Sequence, residues 1–192
     1  GHMFDISVMR PVFSTAKGTL LGYTMSITHL PDVGGIGFGA AASEIYHEGL
    51  RLPIVKLAES GVINEFLLDL IAVNVRTPES TIGDLRANIA CNEVGGRQLV
   101  EFLNEYAIDD LSALSNAIRN QSELAMREKI KDIRNGTYDN SILIEAIDEP
   151  ITLTCKVEVE DEKIEIDFDG TGGCVSRGIN VPFCYTNAMS LY

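Results

Sequence analysis

The apolar residues of this chain change their period twice along its length, and that change limits the folds open to it. Up to about Leu57 they alternate loosely or run in short β-branched and aromatic stretches. Over 62–134 they recur every three to four residues, and over 138–184 the alternation returns. A period near 3.6 buries one stripe of a helix, whereas a period of two buries one face of a strand. The pattern predicts an α+β fold: strand blocks at both ends with an inserted layer of two to three long helices. The blocks are 4–57 (strands and a glycine-rich loop), 62–134 (helical), 138–184 (strands) and 185–192, a helix that stops without a cap. Residues 4–192 read as a single α+β fragment, cut within that last helix, and 1–3, Gly1-His2-Met3, as an expression-tag remnant.

Local signals fill in the elements. Ile6 to Phe13 and Thr19 to Thr28 predict a hairpin around Ala16-Lys-Gly18. Ala40 to Tyr46 suits one helical turn, and Arg51 to Leu57 suits extended chain because it contains a pre-proline residue. Val62, Ile63, Phe66, Leu67, Leu70 and Ile71 mark a first helix. Thr77 can cap a second, with Pro78 at its first position, running to Tyr106. Gly95-Gly96 inside it costs about 1 kcal/mol per glycine against alanine, which implies either a kink or close approach by another backbone. Asp109 or Asp110 would cap a third helix ending near Ile133, with Asn135-Gly136 as its stop. Strands follow at Ser141 to Ile147, Ile151 to Val159 and Lys163 to Phe168. The last two form a hairpin at Asp161-Glu162 with one wet face.

Charge and cysteine usage exclude several function classes. Acidic residues outnumber basic ones 28 to 15, for a net charge of -13, which repels a phosphate backbone, so nucleic acid is not an expected partner. The longest apolar run, Phe66 to Val75, is broken by Asp69 and Asn74, so no membrane span is predicted. Cys91, Cys155, Cys174 and Cys184 lack C-x-x-C spacing and suit reduced thiols of a cytoplasmic protein, with Cys91 as a small buried hydrophobe. The acidic run Glu158 to Asp169 lacks a calcium-loop pattern and alternates onto a solvent face. Ser43-Glu-Ile-Tyr-His47 has one histidine where a metalloprotease helix needs two, and no phosphate loop or nucleophile elbow is present.

The chemistry concentrates in His29-Leu-Pro-Asp-Val-Gly-Gly-Ile-Gly-Phe-Gly39, followed by Glu48-Gly-Leu-Arg-Leu-Pro53. Imidazole and carboxylate are ligand types of a catalytic divalent metal, and His29 and Asp32 stand at the mouth of a loop too glycine-rich for regular structure. A local turn with His29 ending a strand is the competing reading.

Six motifs occur in order: Arg10-Pro-Val-Phe13; Leu20-Leu-Gly-Tyr23; Thr28-His-Leu-Pro-Asp-Val-Gly-Gly35; Glu48-Gly-Leu-Arg-Leu-Pro-Ile-Val-Lys-Leu57; Gly83-Asp-Leu-Arg-Ala-Asn-Ile-Ala-Cys-Asn-Glu-Val-Gly-Gly-Arg97; and Gly178-Ile-Asn-Val-Pro182. This set resembles the hydantoinase B / 5-oxoprolinase family, which includes N-methylhydantoinase B subunits and related acetone and acetophenone carboxylase subunits. The resemblance covers nearly the whole chain and implies an internal piece of a longer subunit. It implies a divalent metal, zinc or manganese, held by an H-x-x-D pair before the R-P-V-F segment and by a later histidine. Those positions fall on His2, Asp5 and His29, and His2 is then either native or a cloning remnant. Asp32 would be a further ligand or a partner orienting His29. Glu48 and Arg51 would take the catalytic positions beside the loop, contacting a carboxylate or phosphate, or else form a structural ion pair.

The activity implied is ATP-dependent ring opening of a small-molecule cyclic amide such as a hydantoin or 5-oxoproline. ATP would be used by a hydantoinase A-type ATPase partner subunit, and no other cofactor site is implied. The alternatives are an ATP-dependent ketone carboxylase subunit and a non-catalytic scaffold region. Exposed apolar surface on the unfinished C-terminal helix predicts an oligomer.

Overall fold

The computed structural model describes residues 2–15, 17–109, 111–146 and 148–192. In chain order, strands at both ends bracket the helices, as the periodicity predicts. The elements are β1 (Asp5–Phe13), β2 (Leu20–His29), β3 (Ala58–Glu59), β4 (Val62–Ile63), α1 (Glu65–Ala72), α2 (Pro78–Glu105), α3 (Ser112–Lys131), β5 (Gly136–Ile144), β6 (Ile151–Glu160), β7 (Lys163–Asp167) and α4 (Phe183–Leu191). The stretch read as one fragment forms two compact units, Gly1–Asp110 with Ser176–Ile179, and Leu111–Val175 with Asn180–Tyr192, so the helical block is shared between them.

In the first unit, β1 and β2 pair antiparallel, with Asp5 opposite His29, Ser7 opposite Ile27 and Met9 opposite Met25. Alternation turns Ile6, Val8 and Val12 inward and leaves Met9, Tyr23, Met25 and Ile27 exposed. The 28-residue α2 lies across both strands and stays unbroken through Gly95-Gly96. Its buried stripe is Thr81, Leu85, Asn88, Asn92, Gly96 and Leu103. A Cβ on Gly95 would stand 3.3 Å from Thr24 Cγ2, and one on Gly96 would stand 3.2 Å from Val12 Cγ2 and 3.1 Å from Arg10 Nη1. The glycines therefore admit strand side chains rather than a second backbone. Two buried asparagines bond across this seam. Asn88 Nδ2 donates to Thr28 Oγ1 at 2.7 Å, and Asn92 Nδ2 donates to Val8 O at 3.0 Å and Ser26 Oγ at 2.8 Å. Phe4, Leu30, Val33, Leu67, Leu68, Ile71 and Leu85 form the apolar core beneath.

Several boundaries differ from the sequence expectation. Val62 and Ile63 belong to a minimal hairpin, not to α1, because Ser60 and Gly61 both take positive φ and turn the chain back. α1 instead begins after Asn64, whose side chain accepts from Leu67 N–H at 3.1 Å. Pro78 opens α2 as expected, but Thr77 makes no side-chain cap bond. Leu111 precedes α3, while Asp109 pairs with Lys17 at 3.2 Å. Asp110, Ala16 and Ile147, on which a cap, a turn and a strand end were expected, lie outside the described residues. Cys91 is exposed rather than buried, since it stands off the stripe of α2 that faces the hairpin.

In the second unit, β5, β6 and β7 form an antiparallel meander in that order. β5 starts at Gly136, five residues before the strand expected from Ser141. The β6–β7 pairing sets Glu158 opposite Glu165 and Lys156 opposite Asp167. α3 ties itself to the meander through Glu162, which pairs with Arg127 and Lys131 at 3.5 Å each. α4 begins two residues earlier than expected, and Phe183, Met189 and Leu191 on it are exposed.

The packing of α2 predicts opposite outcomes for two of its glycines. Nothing lies within 4 Å of a Cβ at Gly83, so Gly83→Ala should stabilise by up to about 1 kcal/mol through helix propensity. Gly96→Val should destabilise by about 1–3 kcal/mol by forcing Val12 and Arg10 apart. Urea denaturation followed by circular dichroism checks both. Equal effects at the two positions would show that α2 does not seat closely on the hairpin.

Candidate metal centre

The hairpin register brings Asp5 and His29 directly opposite each other on the solvent-facing side of the sheet. His2 joins them through a turn, Asp5 N–H donating to His2 O at 3.2 Å, which folds the imidazole back over the strand end. Leu30 N–H donates to Phe4 O at 2.9 Å and extends the ladder past His29. The ligand atoms of His2, Asp5 and His29 all lie within 4.8 Å of one another, the one such group among the described residues. His2 Nε2 stands 3.6 Å from Asp5 Oδ1, too long for a hydrogen bond. That nitrogen is itself buried and has no hydrogen-bond partner, an arrangement that costs about 1–3 kcal/mol unless something binds it. Donors on one zinc lie about 2.0–2.2 Å from it, so a side-chain adjustment of roughly 1 Å brings the three onto a common ion. Two imidazoles and a carboxylate, with positions left open, fit a catalytic divalent metal.

Aromatic rings wall the group. Phe4, itself buried, stacks on His29 with centroids 5.2 Å apart and planes at 18°. Phe38, from the glycine loop, presents its edge to His29 at 4.9 Å and to His2 at 5.3 Å. The histidine rings contact each other edge-on at 4.8 Å.

The glycine loop that delivers Phe38 is held from two sides. Ile36 N–H donates to His47 O at 2.9 Å and Leu50 N–H to Val33 O at 2.7 Å, so residues 33–36 run against 47–50. Gly35 has φ 59, and a Cβ there would meet His47 O and come within 2.6 Å of Gly49 N, so only glycine fits. Glu48 Oε2 accepts the Met3 backbone N–H at 3.0 Å, which ties the segment carrying His2 to the loop. On the other side, Asp32 is buried and accepts from Gly34 N–H at 2.9 Å, from Arg76 Nη1 at 3.0 Å and from the Arg76 backbone N–H. Burial pushes the Asp32 carboxyl up, but the backbone N–H groups of Arg76 and Gly34 and the Arg76 charge outweigh it and hold it below the ordinary carboxylate range.

The Hydantoinase B/oxoprolinase family profile matches residues 1–192. The chain belongs to this family. An uncharacterized protein of Methanocaldococcus jannaschii is 34% identical over 194 residues, spanning 100% of this chain and 34% of that protein. Caprolactamase subunit beta of Pseudomonas jessenii is 32% identical over 86% of this chain and 29% of the subunit. A crystal structure of the ATP-dependent caprolactamase from that organism superposes with a TM-score of 0.76 at 31% identity, over 86% of this chain and 29% of the other. Acetone carboxylase shares the fold, with a TM-score of 0.78 at 19% identity over 92% of this chain and 25% of that one. This chain therefore spans about a third of the length of its first relatives.

Within the family framework, the sequence-derived site residues separate into three groups. His2, Asp5 and His29 come together. Asp32 stands outside that group, its carboxylate engaged by Gly34 and Arg76 and making no bond to His29. Glu48 holds backbone beside the centre, and Arg51 is exposed with no ion pair among the described residues. Ser43 and Glu44, just before the 3-10 turn Ile45–His47, both engage His47, at 3.3 and 3.2 Å. Sequence reasoning missed Phe38 and Arg76. A lone aromatic between two glycines was the available signal for Phe38, and for Arg76 there was none beyond its place before Thr77-Pro78.

Asp32 predicts a pH-dependent contribution to stability. Its folded-state pKa lies below the unfolded value near 3.8, so its contribution is complete above about that pH and is lost as pH falls through the lower folded value. Asp32→Asn should destabilise by about 1.5–3 kcal/mol at neutral pH, the range for bonds to a charged group. The gap to wild type should close in acid below pH 3.8. A gap constant from pH 7 to pH 3 in thermal melts would contradict the charged pairing.

Proposed function

We propose that this chain forms the metal-holding hairpin and glycine loop of the B-type subunit of an ATP-dependent cyclic amidase. The substrate class is a hydantoin, 5-oxoproline or related lactam. One observation carries the reading: His2, Asp5 and His29 converge, and the buried His2 Nε2 lacks any other partner. Caprolactamase and 5-oxoprolinase among the relatives support the cyclic-amide class.

In this reading His2, Asp5 and His29 hold a divalent ion, zinc or manganese, on the open side of the hairpin. When bound, such an ion supplies Lewis acidity toward a ring carbonyl or an attacking water. Phe4 and Phe38 hold the planes of the histidine rings, Phe4 by stacking on His29 and Phe38 by edge contacts. Glu48 holds the backbone next to His2 by accepting the Met3 N–H, a positioning role in place of the catalytic one first assigned. Arg51, exposed and without an ion pair among the described residues, would meet an anionic group of the substrate. ATP would be consumed on a hydantoinase A-type partner subunit in the cytoplasm. No helix among the described residues is long and apolar enough to cross a membrane. The exposed apolar residues of α4 suit burial in an oligomer.

Titration of the metal-free chain with Mn(II), followed by electron paramagnetic resonance, should give one site per chain. His29→Ala or Asp5→Asn should abolish it, while His47→Ala, outside the group, should not. Uptake that survives His29→Ala would sink the metal reading and favour the scaffold alternative.

A second measurement tests the activity. The chain alone should neither open hydantoins nor hydrolyse ATP. Joined to the remainder of a B-type subunit and an A-type ATPase, it should support ATP-dependent ring opening that His29→Ala reduces to background. Ring opening by the chain alone, or no loss on His29→Ala, would overturn the assignment.

A further inference from the structure

We infer that Arg76 is a positioning residue for the His2–Asp5–His29 centre, acting through Asp32 and the glycine loop; this rests on the metal reading above. Arg76 lies 44 residues beyond Asp32 in sequence. Four of its hydrogen bonds nevertheless land on residues 32–35. Its backbone N–H and Nη1 both donate to the Asp32 carboxylate, Nη1 also donates to Gly34 O at 3.3 Å, and Nη2 donates to Gly35 O. The Asp32 side chain is 8% exposed and its partner 61%, so the arginine closes a buried carboxylate from the solvent side.

The position of this knot gives it consequences for the centre. Asp32 follows His29 by three residues, and Gly35 precedes Phe38 by three. The chain between them is rich in glycine, with φ 83, 59 and 89 at Gly34, Gly35 and Gly37, and supplies little stiffness of its own. Phe38 at the tip is 71% exposed, and its ring meets both histidines and the buried Phe4 edge-on. A loop this permissive holds such a ring in place only if its base is fixed. The guanidinium fixes one side of that base, opposite the backbone bonds to residues 47–50, because its planar fork can donate to a carboxylate and two carbonyls at once. Partners hydrogen-bonded to metal ligands typically change metal affinity 10–100-fold when removed, and Arg76, acting one contact further out through Phe38, is expected at the low end of that range.

The test uses the whole chain and two readouts, the Mn(II) dissociation constant by electron paramagnetic resonance and the nuclear Overhauser contact between Phe38 and His29 in the metal-free protein. Arg76→Ala should weaken Mn(II) binding about tenfold or more and lose the Phe38–His29 contact. Arg76→Lys should recover part of the melting temperature but not the affinity, since an ammonium cannot reach Asp32, Gly34 and Gly35 together. Leu103→Ala, at the opposite end of α2's buried stripe, should lower the melting temperature and leave Mn(II) affinity unchanged. Should Arg76→Ala fail to fold, Phe38→Ala removes only the exposed ring and should cost a similar loss of affinity.

Mn(II) binding as tight in Arg76→Ala or Phe38→Ala as in wild type, or loss of affinity in Leu103→Ala matching that in Arg76→Ala, overturns the inference. A wild-type chain that takes up no Mn(II) overturns the metal reading itself, and this inference with it. The two failures are thus told apart by the wild-type titration.

Discussion

The register of the β1–β2 hairpin is the constraint on which the candidate centre depends. Side chains alternate along a strand, so a slip of one residue would turn Asp5 or His29 inward toward α2 and separate the ligand set. Strand propensity alone specifies register weakly. Here α2 specifies it from outside the hairpin: Asn92 reads Val8 O and Ser26 Oγ, Asn88 reads Thr28 Oγ1, and Thr24 Oγ1 donates to Asn92 O at 2.9 Å. Buried amides are costly when unpaired, so any slipped pairing leaves these groups without partners. Gly95 and Gly96 let the helix sit close enough for the asparagines to reach.

Two H-x-x-D pairs occur near the start of the chain, and the fold treats them differently. His2 and Asp5 are joined by a turn, so both side chains emerge on the solvent-facing side and meet His29 across the hairpin. His29 ends a strand, and the chain then bends inward. Asp32 is carried into the core boundary, where Gly34 and Arg76 satisfy it and Thr81 Oγ1 donates to its backbone carbonyl at 3.3 Å. One spacing therefore yields a candidate ligand pair in the first case and a structural carboxylate in the second. The difference lies in backbone conformation and in the cation available, not in the residue types.

Much of the fold was legible because it rests on short-range rules. The hairpin, the proline-led start of α2 and the β6–β7 pairing follow from alternation, ring geometry and turn residues. The misplacements occur where a local signal competed with another. Val62 and Ile63 fit a helical period, but Ser60-Gly61 turned them into a strand. Asp109 suits a cap, but Lys17 pairs with it instead. Cys91 looked like a buried hydrophobe, but the face of α2 that meets the hairpin is set by Asn88, Asn92 and Gly96 and leaves it outside.

The sequence by itself determined the α+β class, the family, and the candidacy of His2, Asp5 and His29, because periodicity and motif spacing are local properties of the chain. Only the tertiary structure decided which carboxylate joins the histidines, that Glu48 holds backbone near the centre, and that Phe38 and Arg76 belong to its surroundings. Those outcomes depend on contacts between residues up to 84 positions apart, as between Asn92 and Val8. No local pattern encodes such contacts, because their energies come from burial and hydrogen-bond pairing that exist only once helix and hairpin have met.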